Sequence, residues 1–384
     1  MKQHVLLLFP FLLYGIVVQA QNYRAIHQKA IVVDTHNDVL SSATMHGLSI
    51  ENDLTGKAHS DIARFKKGGV DVQVFSIFSD ETFGKDTAFK FANIEIDSLY
   101  AIVKRNPAKM MMVTSPADLQ KAVRLKKLGC MIGVEGGHMI EDRLDYLDSL
   151  YKRGARYLTL TWNNSTSWAS SAKDETSYNN PDAEISSGEI KQKGLTDFGK
   201  QVVKRMNEMG MMVDLSHVGE QTFYDAIAVT NKPIIASHSC VHALCSVPRN
   251  LKDEQIKAIG KNGGVIHLNF YSGFIDSSYD RRSDIFNSRH KAELDSLLKI
   301  NPEPYFADEY LFKKYPEEVK SLRPPLSMLI DHLDYIVKMI GVDHVGIGSD
   351  FDGINSAPQQ LDDVTNLPLF TKELMNRGYS KKDI

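Results

Sequence analysis

Cysteine is scarce: the chain has three among 384 residues, Cys130, Cys240 and Cys245. So small and odd a number excludes a disulfide framework and gives no basis for a thiolate zinc site or a cysteine nucleophile. Cys130 opens an apolar run and reads as a small core residue. The spacing of Cys240 and Cys245 leaves a pairing between them open. An excess of one charge is also lacking. The 45 Lys and Arg against 48 Asp and Glu give a net charge of −3. No basic block interleaves with aromatics, which argues against a nucleic-acid partner. There is no Gly-x-Gly-x-x-Gly turn for a dinucleotide, no internal repeat and no low-complexity segment. The opening apolar stretch from Val5 to Val18 is too short for an ordinary membrane span. With Lys2 before it and Val18-Gln19-Ala20 after it, residues 1–20 read as a secretory signal. The mature chain is therefore expected to be exported, periplasmic or secreted, with no stable membrane span, and no cysteine near the cleavage point offers a lipid anchor.

What is present points to an enzyme with a large core. The composition is 42% hydrophobic and 24% charged. Apolar runs at Ile31–Asp34, Val70–Phe78, Met110–Thr114, Cys130–Glu135, Arg156–Thr161, Met211–Asp214, Pro233–Ser237, Gly264–Asn269 and Val345–Gly348 read as strands. Helical patterns separate them at Ala117–Leu128, Leu144–Arg153, Thr196–Met209, Gly219–Ala228, Lys252–Lys261 and Leu326–Ile340. Alternation of this kind means a parallel sheet covered by helices. About eight units favour a (β/α)8 TIM barrel over residues 21–384, with an open doubly wound sheet as the competitor. Two stretches break the rhythm. Ser165–Gly194 is polar and reads as a loop at the rim. Tyr271–Leu326 carries five prolines and reads as an insertion at about 272–325, a lid or an oligomer contact. Ser380-Lys-Lys-Asp383 resembles a capping box just before the chain ends at Ile384, which suggests that a last helix is missing.

The chemistry gathers at strand ends. His36 and Asp38, Glu135, His217 and His238 each follow an apolar run. A parallel barrel points all its C-terminal tips at one mouth, so these five residues would share a site. His36 and Asp38 are two apart, and on an extended tip both face the same side. Three His, one Asp and one Glu suit two zinc ions bridged by a carboxylate, and glycines 136 and 137 let the backbone turn tightly after Glu135.

The motifs Asp34-Thr-His-Asn-Asp38, Gly133-Val-Glu-Gly-Gly-His138, Tyr157-Leu-Thr-Leu-Thr161, Val213-Asp-Leu-Ser-His-Val218, Ser237-His-Ser239, Arg249-Asn250 and Gly348-Ser-Asp-Phe-Asp-Gly353 occur in this order. Together they resemble the membrane dipeptidase (renal dipeptidase) family of M19 zinc peptidases, from about Gln28 to the C-terminal end. The resemblance implies hydrolysis of dipeptides by a homodimer holding two zinc ions per subunit. His36 and Asp38 would hold one zinc, His217 and His238 the other, and Glu135 would bridge them. Asp350 would move the proton of the attacking water, with Asp352 competing for that role. Arg249 would grip the substrate's terminal carboxylate, and Tyr271 would line the pocket. One position departs from the pattern: mammalian members carry a histidine after Tyr-Leu-Thr-Leu-Thr, whereas this chain has Trp162, followed by Asn163 and Asn164. Tryptophan can donate one hydrogen bond but cannot become cationic. Asn163 could stand in for the histidine, or substrate choice could differ. The alternatives are a related amidohydrolase acting on another amide, ester or lactone, and a non-catalytic binding protein on an enzyme scaffold.

Overall fold

Nine apolar runs become strands of one parallel sheet: β1 (Val33–Asp34), β2 (Val72–Phe78), β3 (Met110–Met112), β4 (Leu128–Glu135), β5 (Ala155–Thr159), β6 (Met212–Asp214), β7 (Ile235–Ala236), β8 (Val265–Leu268) and β9 (Val345–Ile347). The computed structural model describes residues 23–178, 193–302 and 304–384, so the signal expected at 1–20 lies outside them. Strand β1 pairs with β2 and β2 with β4, and the series β4 to β9 returns to β1. Eight strands thus close a (β/α)8 barrel. Strand β3 stays outside the ring, paired with the first three residues of β4 before β5 takes over that edge. No helix among the described residues is long and apolar enough to cross a membrane.

Side chains alternate between the two faces of each strand. In β4, Cys130, Ile132 and Val134 enter the core between sheet and helices. Met131 faces the lumen, packed against Val74, Tyr157 and Ile235. A β-carbon at Gly133 would fall inside the Tyr157 ring, so only glycine lets that ring lie across the lumen. Gly346 makes room for His267 in the same way.

The helices depart from expectation in places. The helix expected to reach Leu128 runs from Pro116 to Leu125 and ends at Lys126, whose φ of 54° is left-handed. Leu128 is therefore free to start β4. The polar stretch after Ser165 contains a helix, Ala172–Tyr178, and its residues 179–192 lie outside the described ones. Other helices lie outside the expected patterns. Ala88–Arg105 buries Ala92, Glu95, Ile96, Leu99 and Ile102, and the acid interrupts its apolar stripe. Leu367–Asn376 opens with Pro368 and is preceded by a capping box between Asp363 and Asn366. Ser380 and Asp383 exchange the expected capping hydrogen bonds at 2.9 and 3.2 Å. Cys240 and Cys245 are buried and free, their thiols donating to the carbonyls of Asn269 and Gly273.

Between β8 and β9 the chain forms the helices Ser272–Ile275, Tyr279–Arg289, Lys291–Ile300, Pro304–Lys314 and Pro316–Leu322. Most of them share a core of their own, including Tyr279, Phe286, Leu311 and Phe312. Both ends of this segment are tied to the loop after β9. The Ser272 amide donates to the Ser356 carbonyl at 2.8 Å. Arg323 donates to the carbonyls of Ala357 and Pro358, each at 2.6 Å.

His267 has a consequence for stability. Its Nδ1 donates to the Ala236 carbonyl at 3.0 Å, and burial pushes its pKa down to about 4. The unfolded chain takes up that proton near the ordinary value of about 6.5. Stability from the neutral ring is therefore complete above about pH 6.5 and is lost as the pH falls towards 4, by up to roughly 3 kcal/mol. In urea denaturation, His267→Asn should lose less stability than the parent between neutral pH and about pH 4.5. Equal losses would contradict the assignment.

Candidate metal centre

The tips of β1, β4, β6 and β7 bring five donors together. His36 and Asp38 follow β1 in a loop held by pairing of Asn37 with Phe351. Glu135 is the last residue of β4, and its two oxygens divide. Oε2 lies 3.3 Å from His36 Nε2, while Oε1 lies 2.9 Å from His217 Nε2 and 3.4 Å from His238 Nε2. His36 Nε2 is also 3.4 Å from Asp38 Oδ2 and 4.0 Å from Asp350 Oδ1. Two triads have the proximity of metal ligands: His36, Glu135 and His238, and His36, Asp38 and Asp350. The buried atoms His36 Nε2 and Asp38 Oδ1 lack a hydrogen-bond partner, as donors kept for a cation would.

Each imidazole is oriented through its other nitrogen. The Tyr157 hydroxyl donates to the Thr35 carbonyl at 3.1 Å and accepts from His36 Nδ1 at 2.9 Å. Ser237 Oγ donates to Asp214 at 2.6 Å and accepts from His238 Nδ1 at 2.7 Å. His217 Nδ1 donates to Asn163 Oδ1 at 3.2 Å. With Nδ1 so engaged, all three Nε2 lone pairs face the centre, the arrangement that fixes ligand tautomers around metals. Two further buried acids hold the strand tips. Asp34 accepts from the Ser349 amide and hydroxyl, and Asp214 accepts from the Ser237 and Ser216 amides and the Thr159 hydroxyl. His217, Asp350 and Asp352 have φ of 65°, 60° and 69°, a left-handed geometry concentrated at the mouth.

The electrostatics of the centre are divided among its groups. Burial disfavours a charged His36 ring, but Tyr157, Glu135 and Asp38 outweigh it and raise its pKa well above the ordinary value. Burial likewise opposes the charge on Glu135, yet the surrounding imidazoles hold it well below the usual carboxylate range. Burial and the charge of Arg249 lower His217 to about 4. Asp350 moves the other way: burial, with the nearby charges of Asp38 and Glu135, raises its pKa well above normal.

The remaining candidates take distinct places. Asp350 Oδ2 accepts from Asn269 Nδ2 at 2.8 Å. Asp352 turns away from the donors and accepts from the His59 amide at 2.5 Å. Arg249 touches the His238 carbonyl at 3.4 Å and lies 5.2 Å over the Phe274 ring, and its Nε and Nη1 are buried without partners. The Trp162 ring lies between Phe78 and His217, at 5.0 and 6.4 Å. Asn163 acts on His217, and Tyr271 packs on Phe274 and Tyr279, where barrel and insertion meet. His138 is turned to the Ser79 carbonyl at 3.0 Å. Sequence reasoning missed Tyr157, Asp214, Ser237 and Asn269 as supports. For Tyr157 the readable signal is its place opposite Gly133 on the neighbouring strand.

These contacts predict separable effects. Tyr157→Phe keeps the ring but frees His36 Nδ1, and should weaken metal binding by about 10–100-fold in competition with a chelator. Gly133→Ala must displace the ring and should lower stability by about 1–3 kcal/mol. Metal retention unchanged in Tyr157→Phe would show that the phenol does not orient His36.

The surroundings of this centre have counterparts elsewhere. A profile of the membrane dipeptidase family, peptidase family M19, matches residues 20–384. An uncharacterised dipeptidase of Schizosaccharomyces pombe is 30% identical over 375 residues, covering 93% of this chain and 77% of the yeast protein. Dipeptidase 3 of Mus musculus is 31% identical over 362 residues, covering 92% of this chain and 61% of the mouse protein. Among solved structures, the probable dipeptidase PvdM of Pseudomonas aeruginosa superposes with a TM-score of 0.75 at 24% identity, over 95% of this chain and 94% of that one. A metallopeptidase of Rhodobacter sphaeroides, liganded with a phosphinate mimic of the dipeptide L-Ala-D-Ala, superposes with a TM-score of 0.70 at 23% identity, over 92% and 94%. The structural likenesses carry the fold, the profile and the yeast relative carry the kinship, and the chain belongs to the membrane dipeptidase family of metallopeptidases, M19.

Proposed function

We propose that this chain is an exported dipeptidase that hydrolyses the peptide bond of dipeptides with the help of two zinc ions. One observation carries the reading: Glu135 divides its oxygens, one towards His36 and the other towards His217 and His238. A carboxylate used in this way suits a bridge between two cations. His36 and Asp38 would hold one, and His217 and His238 the other. Zinc so held supplies a water acidified towards neutrality and a polarised carbonyl.

The chain's own residues do the rest. Asp350 has its pKa raised, which makes its carboxylate a stronger base, and it is anchored by Asn269; this suits a carboxylate that takes a proton from the attacking water and returns it to the leaving amine. Arg249 has two buried nitrogens without partners, and a planar guanidinium pairs well with a terminal carboxylate. Trp162, at the position of the family histidine, walls the pocket beside Phe78. It is also the feature that favours the second reading, a related amidohydrolase with another amide, ester or lactone substrate.

Metal analysis of active protein should find about two zinc ions per chain, with activity lost on chelation and restored by zinc. Less than about one per chain in active protein would overturn the metal assignment. Arg249→Ala should lower kcat/KM on dipeptides by at least about tenfold, since breaking a desolvated charge pair costs about 2–5 kcal/mol. Amidated dipeptides cut as well as free ones would remove the arginine from this role. Trp162→His should reorder a panel of L,L and L,D dipeptides while leaving metal content unchanged. Identical rates across the panel would mean that the indole faces away from the substrate.

A further inference from the structure

Gly353 ends the motif Gly348-Ser-Asp-Phe-Asp-Gly353, and backbone freedom does not explain it. Asp350 and Asp352 take the left-handed φ values of 60° and 69° that glycine would adopt more easily, whereas Gly353 itself has no positive φ. Alanine could follow the same backbone there. What it would lack is room. A β-carbon at Gly353 would fall within 2.5 Å of both Asp38 Oδ2 and Asp350 Oδ1, and 3.1 Å from Asp38 Cγ. Non-bonded heavy atoms rest about 3.5–4.0 Å apart. All three of these nearest atoms belong to the two carboxylates.

The same two oxygens face the metal centre. Asp38 Oδ2 and Asp350 Oδ1 lie 3.4 and 4.0 Å from His36 Nε2, and the three residues form one of the two triads with the proximity of ligands. The other triad, His36, Glu135 and His238, supplies none of the atoms nearest to Gly353. The backbone around the two carboxylates is tied down. The Asp38 amide donates to the Phe351 carbonyl at 3.0 Å, and the Asp350 amide to the His36 carbonyl at 3.1 Å. Asp34 takes both the amide and the hydroxyl of Ser349, at 2.8 and 2.5 Å. An added methyl would therefore push the side chains aside and leave the chain where it is.

We propose that Gly353 is a positioning residue whose bare α-carbon keeps the carboxylates of Asp38 and Asp350 where the His36 half of the centre can bind its zinc. The inference rests on the two-zinc reading and deepens it, since it makes the two halves of the centre separable. The displaced atoms are the free ends of side chains, so the fold should tolerate the change that the metal does not.

The test measures zinc in the full chain, in its Gly353→Ala variant and in a Gly84→Ala control, whose added methyl would meet nothing within 4 Å. Each protein is dialysed against graded concentrations of a zinc chelator. Over a common range of chelator, parent and control should keep about two zinc ions per chain and Gly353→Ala about one, with its weaker site lowered about 10–100-fold in affinity. Far-UV circular dichroism should be the same for all three, and raising the free zinc should return the second ion to the variant. A variant that keeps two ions as tightly as the parent overturns the inference while the two-zinc reading stands. So does one that loses both together, or one whose dichroism departs from the parent's. An active parent that binds no more than about one zinc per chain at any free zinc overturns that reading and takes the inference with it.

Discussion

The buried carboxylate of Glu135 is the contact on which the site depends. Burying a charge is expensive unless it is paired and hydrogen-bonded, and here three imidazoles from three different strand tips share the task. Its position follows from register. Strand β4 runs beside β2 from Val72↔Gly129 to Phe78↔Glu135, and a slip of one residue would turn Glu135 out of the lumen and Val134 into it. Closure of the barrel and assembly of the donors are thus one event. The backbone then leaves β4 through Gly136 at φ 100°, a value available at little cost only to glycine.

Much of this was legible in the sequence, and for an identifiable reason. All nine strands follow apolar runs ended by polar residues, and ligand-type side chains stand where those runs stop. Position along a strand is a local property, so His36, Asp38, Glu135, His217 and His238 can be read one segment at a time. The supports are different. Tyr157 orients His36 across 121 positions of chain, and Asn269 anchors Asp350 across 81. Nothing local distinguishes such a tyrosine or asparagine from an ordinary core or turn residue. In helix Ala88–Arg105, Glu95 is fully buried and accepts from the Phe78 amide at 2.9 Å, a role that no local pattern shows. Strand β3 looked like a barrel strand because its apolar run is real, and only the direct pairing of β2 with β4 excludes it from the ring.

The donors and their supports lie on strand tips and the short loops that follow, while the insertion between β8 and β9 builds a separate core. This division keeps the two tasks apart. Changes on the exposed face of helix Pro304–Lys314 can be accommodated without disturbing the barrel's own packing, as is general for loops carried on a barrel.

Tyr157 acts as a cross-brace. It leaves β5, passes over Gly133, and ends on His36 and Thr35 beyond β1, so a rigid ring of fixed length spans part of the lumen. Aliphatic layers can slide as a barrel swells, but a phenol cannot lengthen. Widening of the wall would pull directly on the hydrogen bonds that join that hydroxyl to His36 and Thr35. Thermal expansion would therefore strain the bond to His36 early, and the imidazole serves as a gauge of the barrel's width.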